Sequence, residues 1–219
     1  MDRRNTTEIR FDMKRKTEDI IVQLINRYPI LEGCRKDILS ALEMLIASYA
    51  AGGKVLVCGN GGSAADAEHI VGELLKSFRK HRSVPLGVAE RLRPELAVKL
   101  EGSLPAISLV SMSGIITAFA NDVDWETAYA QQVLGLAKPG DVLIALSTSG
   151  QSRNCVAAAE VMKAVGGMTI AFTGANASRL ASLCDVAIRV PETETCKVQE
   201  LHLPIYHAVC SAVEEEMFE

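Results

Sequence analysis

The chain has 219 residues, a length typical of a single domain with small additions. Hydrophobic residues make up 48% of it and charged residues 23%, which is enough apolar material for a sizeable core and too much for a disordered chain. The formal net charge is only −4, from 23 Lys and Arg against 27 Asp and Glu. This balance argues against a protein that binds nucleic acid.

Membrane and secreted classes are also disfavoured. No apolar run reaches the roughly 18 residues of a membrane span, and residues 1–16 lack the apolar stretch of a secretory signal. The six cysteines are scattered without a C-x-x-C pair, so a thiolate zinc cage is not expected. We predict reduced, mostly buried thiols in a cytoplasmic protein.

The N-terminal segment 1–53 is predicted to be helical and to belong to the same globule as the rest. Apolar residues recur at helical spacing over Ile20–Ile25, and Pro29 ends that pattern. A second helix is predicted from about Asp37, and the pair Gly52-Gly53 ends it.

From residue 54 to 219, short apolar runs alternate with helical stretches. This alternation predicts an α/β fold, a three-layer sandwich in which helices flank a five-stranded parallel sheet. The predicted strands are Val55–Cys58, Ala106–Val110, Val142–Leu146, Met168–Phe172 and Val186–Val190. A last helix is predicted from about Lys197 to Met217, and the whole chain forms one domain.

The stretch from His81 to Pro105 interrupts this alternation with three prolines and many charges. A short helix is predicted there from about Glu90 to Leu100. The stretch is either a surface excursion or a lid or oligomer contact near the site.

A glycine-rich loop follows the first predicted strand, at the sheet edge where open parallel sheets bind ligands. It reads Gly59-Asn60-Gly61-Gly62-Ser63 and leads into a helix. Glycines let the backbone approach a ligand, and a helix N-terminus offers N–H groups to an anion. A tight strand-to-helix turn also requires glycine, so this loop alone does not identify a ligand.

A hydroxyl-rich loop follows the third predicted strand. Ser147, Thr148, Ser149 and Ser152 supply four hydroxyls within six residues at the start of a helix. Hydroxyls and helix amides together suit a phosphate monoester without a cation. Ordinary helix capping requires one such residue rather than four, so we predict a phosphate site.

A possible metal half-site lies on the helix after the glycine loop. His69 and Glu73 are four residues apart, which places both side chains on one helical face about 6 Å apart at their β-carbons. An imidazole and a carboxylate at this spacing suit zinc or a similar ion. Such pairs also occur on solvated faces.

Polar residues near the C-terminus pose a geometric problem. Gln199 and His207 are eight residues apart, which on a straight helix means about 12 Å of rise and about 80° of rotation. Either Gln199 precedes the regular helix, or Pro204 distorts the helix, or the two act in different subunits. We expect His202 to be a capping or core residue and His81 to be solvated.

Four segments together resemble the sugar isomerase (SIS) superfamily and, within it, the sedoheptulose 7-phosphate isomerases. The segments are Cys58–Glu73, Ala120–Asp122, Ser147–Ser152 and Gln199–His207. The resemblance spans about residue 15 to the C-terminus, except for the His81–Pro105 stretch. The glycine and serine loops are typical of the superfamily. The pairs His69/Glu73 and Gln199/His207 narrow the resemblance to the isomerases.

The resemblance implies the SIS fold and a homotetramer with active sites between subunits. It implies isomerisation of D-sedoheptulose 7-phosphate to D-glycero-D-manno-heptose 7-phosphate, the first step of ADP- or GDP-heptose biosynthesis. It implies one zinc-like ion per subunit, bound by His69, Glu73, Gln199 and His207. It places the phosphate on Ser147, Thr148, Ser149 and Ser152, and the sugar against Asn60, Gly61, Gly62, Glu73, Asn121, Asp122 and Gln199.

The chemistry of such a reaction needs a base, an acid and stabilisation of a developing oxyanion, because a proton leaves C1 and another reaches C2 through a cis-enediol. We assign Glu73 as the base at C1, and His207 as the group that handles the hydroxyl protons or returns a proton. A metal beside them could polarise the carbonyl. Glu73 cannot be a tight ligand and a free base at once, so either the metal moves or its role is organisational.

Two departures from the family pattern concern the substrate more than the reaction. The family often has an arginine shortly after the motif glutamate, where this chain offers Lys76 or Arg79, and an acidic residue where this chain has Ser111–Ser113. A different hypothesis is a non-catalytic SIS protein that binds a sugar phosphate or a protein partner, like the replication-initiator-associating relatives. Glu73 and His207 favour catalysis, because a binding module needs neither.

Overall fold

The computed structural model describes residues 13–218. Residues 1–12 and 219 lie outside the described residues, so the predicted helical segment 1–53 is compared with the structure from residue 13 onward. Within the described range, no helix combines the length and the apolar character needed to cross a membrane.

One parallel sheet of five strands forms the middle of the molecule, in the order β2-β1-β3-β4-β5. The strands are β1 Val55–Gly59, β2 Ala106–Ser108, β3 Val142–Leu146, β4 Met168–Thr173 and β5 Val186–Arg189. All five predicted strands are confirmed. The second is shorter than predicted, because the chain turns after Ser108.

Helices cover both faces of this sheet. They are α1 Arg15–Arg27, α2 Arg35–Ala50, α3 Gly62–Leu75, α4 Leu86–Ala89, α5 Pro94–Ala97, α6 Ser113–Asp122, α7 Ala128–Leu136, α8 Arg153–Ala164, α9 Arg179–Leu183 and α10 Thr195–Met217, with 3-10 turns at Pro29–Cys34 and Trp125–Thr127. Alternate strand residues enter two separate cores: Val55 and Val57 pack under α1, α2, α3 and α10, while Leu56 and Cys58 pack under α7, α8 and α9. The predicted three-layer sandwich is confirmed.

The His81–Pro105 stretch contains two short helices instead of the single helix predicted from Glu90 to Leu100, so that prediction is wrong. The physical reason is Pro94, which begins α5 and holds the preceding Arg93 in an extended conformation. The stretch is also anchored to the body of the protein, because Arg82 near its start is fully buried.

The prediction of free and mostly buried thiols is confirmed for the described residues. Cys34, Cys58, Cys155 and Cys210 are buried, Cys184 is half-buried and Cys196 is exposed, and all six are free. Burial raises the pKa of Cys34 and of Cys184 to about 11, so both thiols stay neutral.

Candidate active site

The glycine loop and the serine loop lie side by side at the carboxyl edge of the sheet. The strand order makes β1 and β3 neighbours at the point where the direction of winding reverses, and such a point is the ligand crevice of open parallel sheets. Two reciprocal bonds join the loops: the Asn60 Nδ2 donates to Asn154 Oδ1 (2.9 Å) and the Asn154 Nδ2 donates to Asn60 Oδ1 (2.8 Å). Asn154 was not predicted as a site residue, because its only signal in the sequence is a polar residue on a buried helix face.

The serine loop is compact and forms hydrogen bonds with its own hydroxyl groups. The Oγ atoms of Ser147 and Ser152 are 2.9 Å apart, and Ser149 accepts a bond from a backbone N–H at 3.2 Å. Gly150 has φ +63°, and a Cβ there would lie 2.1 Å from the Ser178 Oγ. Position 150 therefore requires glycine, and the compact loop presents its hydroxyls next to the N-terminus of α8.

Gln199 packs against the glycine loop. Its carboxamide atoms lie 2.6–3.0 Å from where a Cβ on Gly62 would be. Gln199 is inside α10, which begins at Thr195, so the alternative in which Gln199 precedes the regular helix is wrong. The same helix accommodates Pro204 and continues to Met217. Gln199 therefore lies about 12 Å along the axis from His207, and one chain does not bring the two together.

Three of the predicted side chains do meet, across the contact between α3 and α10. The His69 Nε2 lies 3.2 Å from the Glu73 Oε1 and 3.3 Å from the His207 Nε2. Lys76 stands 3.3 Å from the other oxygen of Glu73. Burial, assisted by the adjacent His69, lowers the pKa of His207, so its imidazole is neutral at neutral pH and can accept a proton.

These donors fit zinc in their chemistry and in two spacings. Two ligands of a tetrahedral zinc ion with bonds of about 2.0–2.1 Å lie roughly 3.3–3.4 Å apart, close to both contacts of the His69 Nε2. The spacing between Glu73 and His207 does not fit a shared zinc ion, because no ion pair within 4.0 Å joins these two side chains. Within residues 13–218, no three His, Cys, Asp or Glu side chains converge on one metal position. A bound ion would therefore require a shift of Glu73 or His207.

Two residues that the sequence analysis did not assign lie behind His69. The Tyr206 Oη is 3.0 Å from the His69 Nδ1 and 3.1 Å from the Asp66 Oδ1. The Asp66 Oδ2 is buried, and no residue in the described range 13–218 forms a hydrogen bond with it. Burial raises the pKa of Asp66 above its ordinary value, although the Tyr206 hydroxyl opposes that change. Asp66 carried a signal, because it precedes His69 by three residues on one helical face; Tyr206 carried none.

Asn121 and Asp122 are not brought to this cluster within one chain. They are exposed at the end of α6, and the Asn121 Nδ2 donates to the Asp122 Oδ1 at 2.8 Å. No described side-chain hydrogen bond joins either of them to the glycine loop, the serine loop or His69. Their place in the sugar site stays a prediction.

The two remaining histidines behave as expected. His202 is fully buried, its ring stands edge-on to Phe172, and burial lowers its pKa to about 4. The side chain of His81 is 71% exposed beside Glu101. The predictions of a core histidine and a solvated histidine are confirmed.

Comparison with known proteins finds SIS domains and named isomerases. Two family models, each described as an SIS domain, match residues 29–103 and 114–212. A phosphoheptose isomerase of a Roseiflexus species is 38% identical over 83% of this chain and 83% of its own length. Another from a Nitratiruptor species is 43% identical over 74% of this chain and 76% of its own length.

Solved structures of named isomerases share the fold over nearly the whole chain. Phosphoheptose isomerase GmhA from Neisseria gonorrhoeae superposes with a TM-score of 0.70 at 28% identity, covering 91% of this chain and 99% of its own. A phosphoheptose isomerase from Francisella tularensis gives 0.71 at 28% identity, covering 91% and 93%. With its SIS domains, its fold and these relatives, the chain belongs to the phosphoheptose isomerase family.

Proposed function

We propose that this chain catalyses the reaction of its family as an aldose–ketose isomerase, converting D-sedoheptulose 7-phosphate to D-glycero-D-manno-heptose 7-phosphate in heptose biosynthesis. The observation that carries the proposal is the meeting of Glu73 and His207 at the imidazole of His69. A carboxylate and a neutral imidazole that both contact His69 are the two groups that an enediol mechanism needs. A protein that only bound a sugar phosphate would need neither.

Each group has a defined task. The Glu73 carboxylate removes the proton from C1, which leaves a cis-enediol across C1 and C2. The His207 imidazole moves protons between the O1 and O2 hydroxyls, and its lowered pKa keeps it neutral for that purpose. The same carboxyl group then returns its proton to C2.

We include one zinc ion per subunit in the proposal. His69, Glu73 and His207 would hold it, with Gln199 as a fourth ligand only if another subunit supplies that residue. A bound ion supplies Lewis-acid polarisation of the substrate carbonyl. Binding of the ion must shift Glu73 or His207. Because Glu73 is both a ligand and the base in this proposal, the ion and the C1 proton compete for its carboxylate.

The phosphate would lie on the serine loop. Ser147, Thr148, Ser149 and Ser152 offer hydroxyl donors, and the adjoining N-terminus of α8 offers N–H groups to the same anion. Asn60 holds this loop through Asn154, so its amide acts first as a clamp between the two ligand loops. Gly61 leaves space for the sugar, because nothing lies within 4 Å of where its Cβ would be, and Gln199 packs against the neighbouring Gly62.

Distances along α3 support a site shared between subunits of a homotetramer. Glu73 lies 11 residues beyond Gly62, about 16 Å along the helix and away from the sheet edge that carries the serine loop. The path from C1 to the phosphorus of a heptose 7-phosphate has eight bonds of about 1.5 Å each and spans at most about 12 Å. These lengths favour a site in which the Glu73 and the serine loop that serve one sugar phosphate come from different subunits.

Helix α6 also fits an interface. It carries Ile115, Ile116 and Phe119, yet none of its residues is buried in the chain. A second subunit that covered this face would bring Asn121 and Asp122 of the first subunit to the sugar site of the second.

The free thiols fit the reducing cytoplasm, which we propose as the compartment.

The test is turnover of sedoheptulose 7-phosphate, followed by NMR for an aldoheptose 7-phosphate, with and without added zinc. Glu73→Gln should abolish turnover and leave folding and assembly intact. Glu68→Gln is the matched control, because Glu68 is an exposed carboxylate of the same helix that bonds Ser111 instead of the cluster. Wild-type activity in Glu73→Gln would remove that residue from the mechanism. Saturable binding by the wild type without any conversion would favour the non-catalytic SIS protein.

A further inference from the structure

The hydrogen bonds that join His69, Tyr206 and Asp66 have a defined direction of donation. Tyr206 is 2% exposed, and its hydroxyl lies between the His69 Nδ1 and the Asp66 Oδ1 at 3.0 and 3.1 Å. A phenol has one proton to donate, and an ionised carboxylate can only accept. The Tyr206 O–H therefore donates to Asp66, and the His69 Nδ1–H donates to the Tyr206 oxygen.

This order decides which nitrogen of His69 is free. A neutral imidazole carries one proton, so a proton on Nδ1 leaves the lone pair on Nε2. Nε2 is the atom that faces both Glu73 and His207. Glu73 alone would favour the opposite tautomer, with the proton on Nε2, because a carboxylate attracts a donor. The phenol and the carboxylate behind the ring oppose that tendency.

We propose that Asp66 and Tyr206 are positioning residues that hold His69 in the Nδ1–H tautomer, with the Nε2 lone pair directed at the proposed zinc and catalytic centre. The inference rests on the proposed function of His69. Histidines that bind metals generally donate their other N–H to a carboxylate, a carbonyl or water, which fixes the ring and its tautomer. Here a tyrosine from α10 carries that contact to a carboxylate on α3.

The unsatisfied oxygen of Asp66 agrees with this role. The Asp66 Oδ2 is buried and has no hydrogen-bond partner, so the Tyr206 hydroxyl is the one side-chain donor that the described residues offer this carboxylate. Losing that donor would leave a carboxylate with no side-chain partner in a half-buried place, which costs free energy. The donation from Tyr206 to Asp66 is therefore favoured over donation from Tyr206 to His69.

Tyr206→Phe is the variant that tests the proposal, since it removes one hydroxyl and keeps the ring packed. Tyr49→Phe is the matched control, because Tyr49 is also buried and its hydroxyl bonds the Pro105 carbonyl, away from the cluster. Thermal unfolding shows whether both variants remain folded. Asp66→Asn is the second variant, because it removes the charge that orders the hydroxyl and retains the size of the side chain.

The first readout is the 15N spectrum of the imidazoles in protein without zinc, with the His69 signals identified by their loss in His69→Asn. We expect the Nδ1–H tautomer in the wild type and in Tyr49→Phe, and a shift toward the Nε2–H tautomer in Tyr206→Phe and Asp66→Asn. An Nε2–H tautomer in the wild type, or an unchanged His69 spectrum in Tyr206→Phe, would overturn the proposal. This readout needs neither zinc nor turnover.

The second readout is zinc affinity, measured with zinc alone by competition with a chelator. Tyr206→Phe should bind zinc about 10–100-fold more weakly, and Tyr49→Phe as tightly as the wild type. Equal affinities for Tyr206→Phe and the wild type would count against the inference. If the wild type bound no zinc, the proposed cofactor would be wrong, and the imidazole spectrum would still decide the tautomer. In turnover, kcat should fall and the KM for the sugar phosphate should stay unchanged.

Discussion

Replacing Arg82 by methionine should destabilise the fold strongly, because Arg82 forms a fully buried ion pair. Its guanidinium donates to the Glu214 Oε1 at 2.7 Å, to the Leu74 carbonyl at 2.6 Å and to the Glu73 carbonyl at 2.9 Å. The side chains of Arg82 and Glu214 are 0% and 1% exposed. Arg82→Met leaves a buried carboxylate without its counter-charge and removes the Arg82 donor from the Glu73 carbonyl at the end of α3, whereas the Leu74 carbonyl keeps the Leu104 N–H at 3.0 Å.

The magnitude follows from what remains after the change. Removing one partner of a buried pair typically costs about 3–5 kcal/mol. Glu214 keeps backbone N–H donors from Phe78, Arg79 and Lys80, which limits the loss on its side. The Glu73 carbonyl adds a penalty of its own, and the apolar methionine recovers some packing, so we expect a net loss of about 3–5 kcal/mol.

The assay is urea unfolding at one protein concentration, since an oligomer's stability depends on concentration. Arg179→Met is the control, because Arg179 pairs with Glu160 at the surface and should contribute at most about 1 kcal/mol. The double variant Arg82→Met/Glu214→Gln should recover part of the loss, since its buried acid is neutral. A loss in Arg82→Met no greater than in Arg179→Met would refute the reasoning.

The same pair gives the prediction a pH dependence. Burial by itself would raise the pKa of Glu214, but the backbone N–H groups of Phe78 and Arg79 and the Arg82 guanidinium hold it below its ordinary 4.5. A carboxyl group whose pKa is lowered by folding stabilises the protein above the unfolded pKa and loses that contribution as the pH falls through the folded value. The stability difference between the wild type and Arg82→Met should therefore be full at neutral pH and narrow below about pH 4.5.

Two further predictions concern the site. Mixing Glu73→Gln with a Ser147→Ala/Ser152→Ala variant and letting the subunits reassemble should restore roughly a quarter of the wild-type turnover. In an equal mixture, about a quarter of the sites between subunits would receive both an intact Glu73 and an intact serine loop. No recovery, despite proven exchange of subunits, would place both halves of the site in one chain. Gly150→Ala should raise the KM for the sugar phosphate, because its Cβ would meet Ser178 at 2.1 Å, whereas Gly140→Ala carries a similar φ strain with nothing within 4 Å and should leave KM unchanged; equal KM values in both variants would mean that the clash does not reach the loop.

The sheet and its ligand loops could be predicted because their signals are local. Each strand of a doubly covered parallel sheet is an unbroken apolar run, as Val142–Leu146 shows. The loops follow directly from the strand ends, so their glycines and hydroxyls appear next to each other in the sequence. The i,i+4 pair of His69 and Glu73 is local in the same sense, and the structure confirms its contact.

Residues that depend on distant partners escaped prediction. Arg82 bonds Glu214 across 132 positions, and Tyr206 bonds Asp66 across 140. A buried arginine within a charged, proline-rich stretch has the composition of a solvated loop, so only the fold shows what it contacts. Gln199 shows a second limit, which lies within one helix. Its distance from His207 follows from helix geometry, but the sequence did not show that α10 continues through Pro204.

The polar contacts between α3 and α10 explain how the site acquires a fixed geometry. Apolar side chains fill most of this contact, and apolar packing tolerates small slides of one helix along another. Tyr206 of α10 bonds Asp66 of α3 near one end of this contact. Near the other end Arg82, which follows α3, bonds both Glu214 of α10 and the Glu73 and Leu74 carbonyls of α3. These bonds are directional, and a slide of one turn, about 5.4 Å, would break both sets. The contact of His69 with His207 lies between them. These buried polar groups are thus placed where they set the register of the two helices that carry His69, Glu73 and His207.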